Sequence, residues 1–219
     1  LIIGAHLINA NHPNIEVFEI FIQLGAILAI IYEYRVQLLK KTLHLSDKKS
    51  KTFFSNIFLA FLPAAIVGLA FHDVIKTFLF NPIVVSCALI IGGILILLIE
   101  KKTNIGSTKT VDNISYKQSL GIGLFQCLAL IPGTSRSGAT IMGGLLLKLD
   151  RKTATEFSFY LAIPIIFAAS MFDLTINWNI LTIQDLPIFI TGFIAAFFSA
   201  RIVIKIFIKY VANHTFVAF

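Results

Sequence analysis

Residues 118–149 read QSLGIGLFQCLALIPGTSRSGATIMGGLLLKL, and this stretch decides the fold. Residues 118–131 are an apolar piece of 14 and residues 139–149 one of 11. About 20 apolar residues are needed for a helix to cross the hydrocarbon core, so each piece covers roughly half a crossing. Between them stands the polar run Pro132-Gly133-Thr134-Ser135-Arg136-Ser137-Gly138. Lys117 precedes the first piece, and Lys148, Arg151 and Lys152 close the second. Basic residues gather on one face of a membrane, so both outer ends belong to the same side. Lengths and charges together describe a re-entrant hairpin over 118–149: a half-helix dips in, turns near mid-membrane, and a second half-helix returns.

The rest of the chain has the composition such a hairpin needs. Of 219 residues, 57% are hydrophobic and 13% charged, against about 25% charged in a soluble domain. The net charge of +7 does not describe a nucleic-acid binder, because the basic residues sit in loops between apolar runs. Residues 18–39, 53–71, 83–99, 154–174 and 187–208 are each long enough to span. Residues 1–10 are too short. Basic loops lie at 40–52, with Lys40, Lys41, Lys48, Lys49 and Lys51, and at 100–117, with Lys101, Lys102, Lys109 and Lys117. A short connector at 72–82 has one Lys, and 175–186 has no Lys or Arg. With the hairpin returning to its own side, all 18 Lys and Arg except Lys76 and Arg136 fall on the cytoplasmic side. Arg201, Lys205 and Lys209, spaced by four, share one helical face and can snorkel to the interface. The fold class is therefore an all-α polytopic membrane protein, with residues 1–219 as a single integral membrane domain truncated at both ends.

A faint internal repeat is also present. Glu19, Leu24 and the small apolar run after them match Glu156, Leu161 and their run at an offset of 137. The two copies run in opposite directions, which is the pattern of inverted-topology duplication. The same offset puts a partner to the 132–138 loop just ahead of Leu1, so one re-entrant loop is expected to be missing. Cys87 and Cys127 lie inside apolar runs and read as small buried hydrophobes without a disulfide. Tyr32, Tyr34, Tyr210 and Trp178 suit interfacial anchoring.

The chemistry concentrates at residues 132–140. A charge at mid-membrane costs about 2.5–3.5 kcal/mol on insertion scales, so Arg136 needs a partner or a wet cavity. It either pairs with a buried carboxylate such as Glu156 or Glu19, or it holds an anion. Its neighbours favour the anion: Thr134, Ser135, Ser137 and Thr140 offer hydroxyls, while Gly133 and Gly138 let backbone approach a ligand. The returning half-helix starts near Gly138 and turns its free N–H groups toward the loop. Arginine, hydroxyls and a helix N-terminus together suit a phosphate. Supporting positions are Glu19 and Gln23, one turn apart on an early span, together with Gln126 and Glu156. For Gln126, bracing of the loop and a plain interhelical hydrogen bond stand side by side. Glu156 is read as structural, paired with Arg136 or Lys152. His44, His72 and His214 read as solvated loop or helix-end residues.

PGTSRSGAT at 132–140, preceded by FQCLAL at 125–130 and followed by EFSFYLAIP at 156–164, resembles the undecaprenyl-diphosphate phosphatase family, the bacterial enzymes associated with bacitracin resistance. FEIFIQLGAILAII at 18–31 is similar to the same family, so the resemblance covers nearly the whole chain. It implies hydrolysis of undecaprenyl diphosphate to the monophosphate, reuse of that carrier in peptidoglycan synthesis, and an inverted repeat with two re-entrant hairpins. It places Arg136 and Ser135 in catalysis and Gly133, Thr134, Ser137, Gly138 and Thr140 on the substrate phosphates. It implies a divalent metal, Mg2+ or Ca2+, a polyprenyl diphosphate substrate, no nucleic acid, a multi-pass location in the bacterial inner membrane, and a homodimer as a further expectation. The sequence departs from the family in one respect. The family's glutamate-rich motif with its Ser-Ser-Thr-Gly-His run, which supplies the metal ligands and a histidine, is absent. His6 and His12 do not replace that histidine, and a final helix is expected after Phe219. The chain by itself is expected to carry half of the site, to bind no metal and to be inactive. A polyprenyl-phosphate flippase of the DedA type, with the same anion clamp but no hydrolysis, is the competing reading.

Overall fold

A computed structural model describes residues 15–102, 106–177 and 186–218, and every extended element among them is helical. The long and short helices in chain order are α1 (Ile15–Glu33), α2 (Arg35–Leu43), α3 (Lys48–Ala70), α4 (Pro82–Lys102), α5 (Tyr116–Gln126), α6 (Arg136–Leu146), α7 (Arg151–Asn177) and α8 (Leu186–Val211). Four of the described helices, α3, α4, α7 and α8, are long and apolar enough to cross a membrane, and α1 with α2 makes a fifth if counted as one broken span. This is a multi-pass membrane protein. The exposed face of α4 carries Leu89, Ile90, Ile91, Ile94, Leu95, Leu97 and Leu98, which is how a lipid-facing helix looks once its backbone bonds are satisfied internally.

The span expected over 18–39 is not straight. It breaks at Tyr34, where α1 and α2 meet at 71°. Arg35, Lys40 and Lys41 all fall beyond the break, and carrying them on into hydrocarbon would cost several kcal/mol. The 19 residues of α1 already cover about 28 Å at 1.5 Å per residue. The connector at 72–82 is also more ordered than read, with a helical turn at His72–Val74 and a π-helical turn at Ile75–Leu79. Tyr34 is buried rather than interfacial. Cys87 is exposed rather than buried, because α4 turns it outward, and both cysteines are free thiols. Trp178, His6 and His12 lie outside the described residues.

The chain forms two compact units. One contains residues up to 38 with 162–206. Here α1 lies on α8 through glycine contacts: a Cβ at Gly25 would meet the Phe193 carbonyl oxygen at 2.4 Å, and one at Gly192 would meet the Phe18 ring at 2.6 Å. Close backbone approach through small residues is the usual means of helix association in lipid. At one end the Arg201 guanidinium stacks 4.5 Å over the Tyr32 ring and Lys205 lies 3.8 Å from Glu33.

The other unit contains residues 39–161 with 207–218. Its centre is the seam of α3 and α5. Gly123 sits where a Cβ would be 2.6 Å from the Ala60 carbonyl oxygen. The Ser119 hydroxyl donates to the Asn56 carbonyl, Asn56 Nδ2 donates to the Ile114 carbonyl at 2.7 Å, and Gln126 Nε2 donates to the Ala60 carbonyl at 3.4 Å. Phe53 packs edge-on against Tyr160 at 5.0 Å. Glu100, at the end of α4, accepts two bonds from Arg151, at 3.1 and 2.6 Å, and one from the Phe216 N–H at 3.0 Å.

The Glu100–Arg151 pair is asymmetric. The Glu100 side chain is 1% exposed and that of Arg151 28%. Deleting the arginine strands a buried carboxylate, whereas deleting the carboxylate leaves a guanidinium that can turn to water. Arg151→Ala is expected to destabilise the fold by about 3 kcal/mol and Glu100→Gln by about 1 kcal/mol. Thermal melting of both variants in detergent checks this, and equal shifts would contradict it.

Candidate functional site

The two short helices do fold back on one another. Ser115 caps α5 in a reciprocal box with Gln118, the pairing that satisfies two free amides at once. The Gln118 amide then donates to the Leu147 carbonyl at 2.8 Å and to Thr108 Oγ1 at 3.1 Å. Thr108 in turn bridges the backbone at 148 and 150. The outer ends of α5 and α6 are thereby tied together. Along the pair, Gly143 leaves room for Phe125, and Gly121 for Leu147. At the inner end α5 tightens into a 3-10 turn, Cys127–Leu130, and residues 131–135 carry the chain across to α6.

Helix α6 begins at Arg136, earlier than the start near Gly138 that its composition indicates. The cause is Ser135, whose hydroxyl accepts the Gly138 N–H at 3.1 Å and caps the helix. The N–H groups of Arg136 and Ser137 make no hydrogen bond among the described residues, so two amides are open at the positive end of α6. Ser135 is exposed, and its hydroxyl lies 3.2 Å from that of Ser137. Thr134, Ser137 and Gly138 are half-buried beside it.

Arg136 is half-buried on the first turn of α6. Its Nη1 donates to the Ser158 carbonyl at 3.3 Å, and the guanidinium makes no other hydrogen bond or ion pair among the described residues. The pairing with Glu156 is not made; the guanidinium meets instead the carbonyl of Ser158, half a turn further along α7. A guanidinium offers five N–H donors, so most of its capacity stays free for an anion.

Several residues expected to touch ligand have internal duties. Gly133 adopts φ +92°, and a Cβ there would sit 2.5 Å from the Val85 carbonyl oxygen. The close approach it permits is to α4. Gly138 packs on Ser135, where a Cβ would be 3.1 Å from the serine Cβ. Thr140 is buried, and its Oγ1 lies 3.0 Å from the Arg136 carbonyl, 3.1 Å from that of Ser137 and 2.8 Å from Ser158 Oγ. Gln126 joins α5 to α3, and it makes no side-chain hydrogen bond to the loop among the described residues. Gln23 lines a groove of about 280 Å³ with Ile22, Ala26, Ala196 and Val203 in the first unit. The Glu19 side chain lies outside the described residues. Ser158 is not singled out by the sequence: it is a lone serine inside EFSFYLAIP, which resembles an ordinary interhelical serine until its contacts are known.

The loop's donors do not fit a resident divalent cation. Mg2+ and Ca2+ take hard oxygen ligands, chiefly carboxylates, and residues 132–140 contain none. The described residues hold no group of three His, Cys, Asp or Glu side chains placed for a metal.

Open amides, an exposed hydroxyl and an arginine that has no acidic partner among the described residues thus lie together on the paired short helices of a multi-pass membrane protein. The sequence matches, over residues 1–219, the family described as Bacitracin resistance protein BacA, and the chain belongs to that family. It is 51% identical over 219 residues to the undecaprenyl-diphosphatase of Nitrosomonas europaea, covering 100% of this chain and 80% of that protein. It is 48% identical to the undecaprenyl-diphosphatase of Laribacter hongkongensis, covering 100% and 81%, and 46% identical to that of Aromatoleum aromaticum, covering 100% and 80%.

Proposed function

We propose that this protein hydrolyses undecaprenyl diphosphate to undecaprenyl phosphate and phosphate, returning the lipid carrier to peptidoglycan synthesis and giving bacitracin resistance. Membership of the family and relatives named undecaprenyl-diphosphatase support the reaction. The single observation that carries the site is Arg136, held at one nitrogen and otherwise free, next to the open end of α6. No observation favours the flippase.

In this reading, the guanidinium takes non-bridging oxygens of the diphosphate, by two parallel N–H bonds where the phosphate presents two oxygens. The open N–H groups of Arg136 and Ser137 and the hydroxyls of Ser135 and Ser137 supply further donors. Hydrolysis forms one bond from an incoming oxygen to the terminal phosphorus and breaks the bond to the bridging oxygen. That electron pair leaves with the undecaprenyl phosphate, and one water supplies the OH and the H that the two products gain. Charge moves onto oxygens the loop already faces, which is where preorganised donors lower a barrier most. Ser135 is the exposed hydroxyl of the loop and its candidate for contact with the reacting phosphorus. A divalent ion, Mg2+ or Ca2+, would add charge neutralisation from residues outside 132–140.

The site also needs a place in the membrane. The pair α5–α6 is read as re-entrant, with its turn in the membrane interior, and α1 and α7 as inverted copies. Supporting this are the half-span lengths, the tied outer ends, and the basic residues Lys117, Lys148, Arg151 and Lys152 at those ends. The inner membrane and pairing with a second copy complete the proposal. Cysteines placed at His44, Lys117 and Lys152 are expected to react with impermeant reagents from the cytoplasmic face only. Labelling of the Lys117 and Lys152 positions from opposite faces would remove the hairpin. Labelling of the His44 and Lys152 positions from opposite faces would remove the inverted repeat.

A further inference from the structure

Three residues form a closed ring of hydrogen bonds behind the loop. Arg136 Nη1 donates to the Ser158 carbonyl at 3.3 Å, Ser158 Oγ meets Thr140 Oγ1 at 2.8 Å, and Thr140 Oγ1 reaches back to the Arg136 carbonyl at 3.0 Å. Directions follow from the donor inventory. Thr140 has one proton and two carbonyl acceptors on its own helix, those of Arg136 and Ser137, and a carbonyl cannot donate. With the Thr140 proton turned to its own helix, Ser158 is the donor across the gap. Ser158 is 0% exposed and Thr140 1% exposed, so no water competes for these bonds.

From this ring we propose that Ser158 is a positioning residue for Arg136, its carbonyl fixing the guanidinium and its hydroxyl fixing, through Thr140, the backbone from which that side chain springs. A serine inside an apolar helix usually donates back to the carbonyl one turn earlier. Ser158 does not: its hydroxyl makes one hydrogen bond among the described residues, and that bond crosses to α6. Two atoms of one residue thus hold both ends of the arginine, and Nε and Nη2 keep a fixed direction. Without the hydroxyl, the first turn of α6 and the guanidinium on it can shift by fractions of an ångström. A misplacement of about 1 Å can cost roughly a hundredfold in rate, so the smaller shift is expected to cost about tenfold. The inference rests on the reading of Arg136 as the diphosphate clamp.

The test uses the native protein in detergent with Mg2+, following phosphate release from farnesyl diphosphate. Ser158→Ala is expected to lower kcat about tenfold with KM changed less than twofold. Thr140→Val should do the same, Thr140→Ser should recover most of that loss, and the double variant Ser158→Ala with Thr140→Val should be no slower than either single one. In an Arg136→Lys background, which lacks the planar fork to be aimed, Ser158→Ala should cost less than twofold. A serine that only supports the fold would cost the same factor in both backgrounds, and that result overturns the inference, as does wild-type kcat in Ser158→Ala. Should Ser158→Ala fail to fold, the Thr140→Val and Thr140→Ser pair decides by the same criteria. Wild-type turnover in Arg136→Ala would instead remove the clamp reading, whatever the serine does.

Discussion

Arg136→Ala in the native enzyme is expected to reduce kcat about a thousandfold, with a smaller change in KM. Removal of one preorganised neutral donor at a developing oxyanion costs roughly a hundred- to a thousandfold, and Arg136 offers a charged fork with one nitrogen engaged inside the protein. Its partner there is a carbonyl, so no carboxylate among the described residues neutralises the charge before substrate arrives. Arg136→Lys should recover less than a tenth of the loss, because a point charge cannot reproduce two parallel N–H bonds. Ser135→Ala should cost less, about a hundredfold at most, since Ser135 donates as a single neutral hydroxyl, and loss of its cap on α6 should lower stability by about 1 kcal/mol. Kinetics on farnesyl diphosphate separates these cases. A rate for Arg136→Ala within tenfold of wild type would place the anion clamp elsewhere.

The existence and type of the elements were legible because the bilayer leaves few options. Half-length runs at 118–131 and 139–149 are too short to span, and they form two short helices, α5 and α6, tied at their outer ends through Gln118 and Leu147. The break at Tyr34 was not legible from the apolar run, because residues 18–39 have about the length of one crossing. It lay in the charges, with Arg35, Lys40 and Lys41 following Tyr34 within two turns. At the candidate site, residue types single out the loop but not each residue's place within it. Glycine next to a phosphate-like motif suggests ligand approach, yet Gly133 serves a contact with α4 and Gly138 serves the cap. Thr140 reads as another hydroxyl for substrate until its burial is known. Such distinctions depend on which helix lies behind the loop, and α3 and α4 are distant from it in sequence.

Gly133 therefore carries the second large effect. Gly133→Ala is expected to destabilise the protein by several kcal/mol and to abolish turnover in whatever fraction still folds. Two costs add. At φ +92° an L side chain is strained by about 1–3 kcal/mol, and the new methyl would lie 2.5 Å from the Val85 carbonyl oxygen and 2.8 Å from the Val85 Cα. Both atoms belong to the backbone of α4, so relief needs a helix or the loop to move, not a side chain to rotate. Overpacking of that kind costs about 1–3 kcal/mol more. The cheaper movement is of the loop, which leads directly into Ser135 and Arg136. Relief of the clash then turns the first residues of α6 away from their cap and from Ser158. Melting temperature in detergent and kcat should fall together in Gly133→Ala, whereas Gly138→Ala, with a 3.1 Å contact to a side chain and no positive φ, should lose less of both. Should Gly133→Ala melt like the wild type and turn over normally, the loop would not depend on its seat against Val85, and Arg136 would have to be held by α7 alone.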